Sequence, residues 1–202
     1  MEDTGPKGQL ILNDAGPDPE AYVHGIAHGV CRILYRNASE VPKVTHLTLI
    51  IRDDPGVAWK TGSERATIML SSRHLDVYRR DGRDVNAEAK GVLYHEMTHV
   101  YQYNDADGKG VPGGLIEGVG DYVRAKAGYV ALSTRRRGGR WDGGYNTTGW
   151  FLMWMDEQYP ESVYRLNLTM DSHDGKAWTT SAFVDLTGQT VDELWNAYQA
   201  TL

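Results

Sequence analysis

Two histidines four residues apart, with a glutamate beside the first, concentrate the most reactive chemistry of this chain: Tyr94-His95-Glu96-Met97-Thr98-His99. On a helix, residues i and i+4 lie one turn apart on the same face, so two imidazoles can grip one ion. Glu96 stands where it reaches a metal-held water rather than the metal. Zinc lowers the pKa of such a water to near neutrality, and a carboxylate can take its proton as it attacks a carbonyl. The pattern H-E-x-x-H therefore predicts hydrolysis assisted by Zn2+. His24 and His28 repeat the spacing, but Gly25 occupies the place of the base. That pair reads as structural.

Catalytic zinc takes a third protein ligand and keeps one position open. Three carboxylates compete for the role. Glu117 and Asp121 are themselves four apart in Leu115-Ile116-Glu117-Gly118-Val119-Gly120-Asp121-Tyr122. One can ligate the ion while the other accepts the N–H of a ligand histidine. Gly118 and Gly120 weaken that helix by roughly 1 kcal/mol each relative to alanine. Close approach to a neighbour, here expected to be the His95 helix, would explain them. Asp105 lies six residues beyond His99, where H-E-x-x-H-x-x-G-x-x-H/D enzymes place their last ligand. Those enzymes turn at a glycine, and Gln102 stands there instead, which disfavours a left-handed turn. The reading favours Glu117 and leaves Asp105 as the alternative.

These side chains need a scaffold. Gln9–Asn13 is a short strand candidate, and Asp18-Pro19-Glu20 opens a helix running to about Arg36. Val44–Arg52 is rich in β-formers and predicts a strand, ended by the turn Asp53-Asp54-Pro55-Gly56; Ala66–Ser71 predicts another. From Asn86, read as an N-cap, helical spacing runs to about Tyr103 and carries both histidines. A glycine-rich turn (Gly108, Gly110, Pro112, Gly113, Gly114) leads to a helix over about Leu115–Ala127, stopped by Gly128. Helical patterns recur at Thr148–Gln158, halted by Pro160, then around Trp178–Leu186 and Val191–Ala200. Strands first and helices later predict an α+β fold, in one domain over 1–202 that is strand-rich to 85, helical from 86, and has its active-site cleft between.

The formal charge of −6 and pI near 5.6 leave no footprint for nucleic acid. The run Arg135-Arg136-Arg137 with Arg140 reads as a solvated loop. Cys31 is the only cysteine, which excludes an internal disulfide or thiolate cluster and reads as a buried, inert thiol. No apolar stretch approaches the length of about 18 residues that spans a bilayer, and the N-terminus lacks a signal-peptide pattern. Asn37, Asn146 and Asn167 begin N-x-S/T patterns, acceptors only on a secreted eukaryotic chain. A monomer acting on peptide or protein substrates, with neither nucleic-acid nor membrane partners, is the expectation.

Long blocks around these residues resemble the plant basic secretory protein family, also called peptidases of plants and bacteria. The blocks are Tyr94–Asn104 (YHEMTHVYQYN), Gly113–Tyr129 (GGLIEGVGDYVRAKAGY), Trp141–Leu152 (WDGGYNTTGWFL) and Val184–Ala200 (VDLTGQTVDELWNAYQA). The resemblance implies a zincin-like, gluzincin-type metallopeptidase fold with a mixed N-terminal sheet and a mainly helical C-terminal half. It implies His95, His99 and Glu117 as zinc ligands, Glu96 as base and Asp121 behind a histidine. It also implies secretion. One departure stands out: relatives are named for basic proteins, and this chain is acidic.

Peptide hydrolysis further needs a donor to the oxyanion. Tyr145, in Gly143-Gly144-Tyr145-Asn146-Thr147-Thr148-Gly149, resembles the tyrosine that opens a helix in many gluzincins; His173 and Tyr101 are weaker candidates. Gly56-Val57-Ala58-Trp59 followed by Ala66–Ser71 could form the cleft-side edge strand, on which a substrate backbone pairs. Without the G-x-M-E-N amine anchor of large gluzincin aminopeptidases, the reading is an endopeptidase. Its rivals are a metal-stabilised binding or defence protein with little turnover, and a dedicated peptide-processing enzyme.

Overall fold

A computed structural model describes residues 2–3, 18–105, 110–171 and 177–202. The predicted strand Gln9–Asn13, Gly108 and His173 lie outside them. The fold is α+β: among the described residues, four strands form one mixed sheet beside eight α-helices. None of the helices is long and apolar enough to cross a membrane. The chain divides into two compact units, Met1–Arg32 with Val41–Tyr101, and Ile33–Glu40 with Gln102–Leu202. The last break falls after Tyr101, at the end of the His95 helix.

In the first unit, β1 (Glu2–Asp3), β2 (His46–Arg52), β3 (Ala58–Thr61) and β4 (Arg65–Ser71) line up in the order β1-β2-β4-β3. β1 and β4 run parallel to β2, while β3 is antiparallel to β4 and ends the described sheet. The β3–β4 turn needs Gly62, whose φ is +76° and whose missing Cβ would run into the Arg65 carbonyl. Side chains alternate across a sheet. Leu49, Ile51, Ala66, Ile68 and Leu70 share one buried face. The opposite face is less covered, with Trp59 partly exposed beneath the Arg52 guanidinium, 5.6 Å from the ring centre.

Helix α1 (Pro19–Leu34) starts as predicted, Asp18 Oδ1 accepting the Ala21 N–H at 2.9 Å. Helix α2 (Ser72–Arg80) had no sequence signal, because only Ser72 and Leu75 in its polar run are buried. Ser71 ends β4 and caps α2: its Oγ accepts the His74 N–H at 3.2 Å and donates to the Asp54 carbonyl at 2.6 Å. Helix α3 (Val85–Tyr101) is capped by Asp84 rather than by Asn86. Asp84 Oδ1 accepts the N–H groups of Asn86 and Ala87, each at 3.0 Å. Val92, Leu93, Met97 and Val100 are buried as α3 packs on β3 and β4. Against α1, the Tyr94 hydroxyl comes so near Gly29 that a Cβ there would stand 2.5 Å from it. Cys31 is half-buried and unpaired, its thiol pushed up to about 11 by burial.

The second unit is helical: α4 (Gly113–Lys126), α5 (Tyr145–Gln158), α6 (Ser162–Thr169), α7 (Ser181–Thr187) and α8 (Val191–Ala200). Gly128, at φ +89°, follows the end of α4 as predicted. Helices α4 and α5 touch through glycine. A Cβ on Gly118 would collide with the Thr148 methyl, and one on Gly149 would stand 2.9 Å from Asp121 Cβ. The close neighbour of Gly118 is α5. Pro160 ends α5, but Glu161 at φ 66° turns the chain into α6, which sequence reading missed. Phe151, Phe183, Leu194 and Tyr198 form the core, with Phe151 contacting the rings of Trp154, Phe183, Trp195 and Tyr198. Asn167 is fully buried and accepts the Tyr103 N–H at 3.1 Å, so it cannot serve as a glycosylation acceptor in the folded chain.

The arginine run is largely solvated, as read: Arg136, Arg137 and Arg140 are exposed and Arg135 is half-buried. Arg135 sits over the Tyr198 ring and donates to Thr201, Arg136 donates to the Ser133 carbonyl, and Arg140 grips Asp142 with two 3.0 Å bonds.

Candidate metal centre

His95, Glu96 and His99 follow from the α3 pattern. The helix buries one face on the sheet, and the motif falls in its best-packed half. His95 and Glu96 are each 7% exposed, and His99 is half-buried. The Nε2 atoms of the two histidines stand 3.0 Å apart, with the rings nearly perpendicular. Two ligand atoms on a zinc tetrahedron, each about 2.0–2.1 Å from the ion, are separated by about 3.4 Å. The imidazole pair thus needs only slight opening to accept an ion.

One ligand atom from each of His95, His99 and Glu117 falls within 4.8 Å of the other two; among the described residues it is the single group of this kind. Borderline nitrogen donors plus one carboxylate suit a divalent ion such as zinc. These three side chains could hold a metal. His24 and His28 are exposed and join no such group among the described residues.

Asp105 is engaged elsewhere. Its Oδ2 accepts the Trp178 N–H at 3.0 Å, and its own N–H donates to the Met170 carbonyl at 2.7 Å. The carboxylate caps the chain near α6 and α7, a use that spacing from His99 could not reveal.

Glu117 is half-buried on α4, and Asp121, one turn later, is 5% exposed. The start of α5 lies against this face: a Cβ on Gly144 would come 3.7 Å from Glu117 Cβ. Thr148 ties the turn down, its Oγ1 accepting the Gly144 N–H and donating to the Trp141 carbonyl, each at 2.8 Å. The next residue, Tyr145, opens α5 with φ 44° and 59% exposure. A non-glycine residue in the left-handed region is strained by roughly 1–3 kcal/mol, and Tyr145 shares that conformation with Asp105 and Glu161. Tyr101, at the end of α3, is half-buried, its phenol raised by burial.

Sequence reading missed Lys60. It lies on β3, whose register pairs it with Ile68 on the buried face of the sheet. A lone lysine in a short strand carries no motif.

A family model described as "Peptidase of plants and bacteria" matches residues 6–198. No curated protein and no solved structure gives a significant match.

Proposed function

This chain belongs to the peptidase family of plants and bacteria, and we propose that it hydrolyses peptide bonds at a Zn2+ ion held by His95, His99 and Glu117. The observation that carries the reading is the imidazole pair, Nε2 to Nε2 at 3.0 Å on α3, with the buried Glu96 between them in sequence. When bound, the ion supplies Lewis acidity for a carbonyl and lowers the pKa of water at the site.

The protein's own residues do the rest. Glu96 takes a proton from the attacking water and returns it to the leaving amine. Its carboxylate is 7% exposed, so bulk water is largely kept from it. Asp121 accepts the N–H of a ligand histidine and fixes its orientation. Tyr145 donates its phenolic O–H to the substrate oxygen as that oxygen gains charge. The outer edge of β3 receives substrate backbone as an added strand, which favours cutting within a chain over trimming its end. The domain is zincin-like in this reading, and it works as a monomer on peptides or proteins.

A broad peptide-library digest, run with and without chelator, tests this. Chelator-sensitive cleavage at internal bonds supports the endopeptidase. Cleavage of one sequence supports a dedicated processor, and silence despite bound zinc supports a binding protein.

A further inference from the structure

Register fixes where Lys60 points. Ala58 pairs with Leu70 and Lys60 with Ile68, so both side chains lie on the face that carries Leu49, Ile51 and Ala66. On β2, β3 and β4 that face is otherwise apolar, and α3 packs against β3. Lys60 is half-buried there. Partial dehydration pulls its ammonium below the usual lysine range, while the nearby negative charge of Glu96 pulls the other way. Among the described residues, no hydrogen bond or ion pair within 4.0 Å holds this ammonium. The other residues of β2, β3 and β4 on this face are uncharged.

The ammonium has three donors and no protein partner among the described residues, so it is open to a ligand. The general base is within electrostatic reach and outside bonding reach. Lys60 also sits on the strand whose free edge receives the substrate in the reading above. A substrate group on that strand can take those donors, and a carboxylate is the chemistry that matches an ammonium.

We propose that Lys60 is a specificity-determining residue that binds a substrate carboxylate close to the scissile bond. The carboxylate belongs either to an Asp or Glu side chain or to the C-terminus of the peptide. This proposal rests on the peptidase reading for the peptide as ligand and for its place along β3.

The test compares isosteric peptides, Glu against Gln at each position and free C-terminal acid against C-terminal amide. Two readouts are taken: kcat/KM for the zinc-loaded wild type, and Kd by fluorescence anisotropy on the Glu96→Gln protein, which holds peptide without cutting it. The acid member is expected to be favoured about tenfold to a hundredfold, the range of a hydrogen bond to a charged group. Lys60→Met brings the ratio to near one, and Lys60→Glu inverts it. Each ratio is taken within one variant, so a partly destabilised protein does not distort it. Preference for internal Glu assigns the side chain, and preference for the free acid terminus assigns the C-terminus. Equal binding of acid and amide partners, no binding of either at millimolar peptide, or a preference that survives in Lys60→Met overturns the proposal. If peptides bind with this preference but are never cut, the peptidase reading fails and the role of Lys60 stands.

Discussion

Gly118 faces the side chain of Thr148 so closely that a Cβ built on the glycine would collide with the Thr148 methyl and stand 2.5 Å from its Cβ. Thr148 cannot swing away, because its hydroxyl bridges the Gly144 N–H and the Trp141 carbonyl. The contact sets the separation of α4, which carries Glu117, from the turn that carries Tyr145.

Gly118→Ala should therefore lower the thermal midpoint. Alanine gains up to about 1 kcal/mol in helix propensity, but overpacking costs about 1–3 kcal/mol. Adding Thr148→Ser, which removes the methyl and keeps the hydroxyl, should recover part of the loss. A single substitution as stable as wild type in calorimetry contradicts this packing.

The choice of third ligand separates two carboxylates. Glu117→Ala should drop bound zinc well below one equivalent. Asp105→Ala should leave zinc content unchanged and reduce stability by about 1–3 kcal/mol, since it strands the Trp178 N–H. Metal analysis and urea unfolding on both variants give the answer. The opposite pattern restores Asp105 as the ligand.

Tyr145 combines exposure with a left-handed backbone. Tyr145→Phe should lower kcat by about a hundredfold with little change in KM, the usual effect of losing one donor to an oxyanion. Tyr145→Gly should be similarly inactive yet more stable, because glycine relieves about 1 kcal/mol or more of backbone strain. An active Tyr145→Phe removes the tyrosine from the mechanism.

Glu40 predicts a pH effect away from the site. Its carboxylate accepts the side-chain amide of Asn37, the N–H groups of Arg36 and Asn37, and the Tyr164 hydroxyl, and its pKa falls from 4.5 to about 2. A carboxylate with a depressed folded pKa stabilises fully above its unfolded value and loses that contribution as pH falls through the folded one. Compared with Glu40→Gln, the wild type should hold its advantage in urea midpoint at neutral pH and surrender it between about 4.5 and about 2. A gap independent of pH contradicts this.

Local patterns read well from sequence where one helix face or one cap decides the outcome. The α3 motif, the Asp18 cap, the Gly128 stop and the whole of α8 follow from spacing and capping chemistry alone. The α3 cap slipped by two residues because Asp84 and Asn86 are both good caps, and only geometry shows which carboxylate or amide meets the first free N–H groups. Helices α2 and α6 were invisible because their apolar residues are few and their starts depend on Ser71 and Glu161 in particular backbone states. The neighbours of Asp105, Gly118 and Lys60 in the fold lie 73, 30 and 8 residues away in sequence, which no local pattern encodes.

The base is the centre of this account. In Glu96→Gln the two imidazoles and Glu117 remain to hold the ion while the proton acceptor is gone. Zinc content and peptide cleavage should be measured on the same preparation. One equivalent of zinc with cleavage reduced by about 10²–10⁴-fold or more is the expected result; full zinc with cleavage at the wild-type rate would show that Glu96 moves no proton and that the chemistry lies elsewhere.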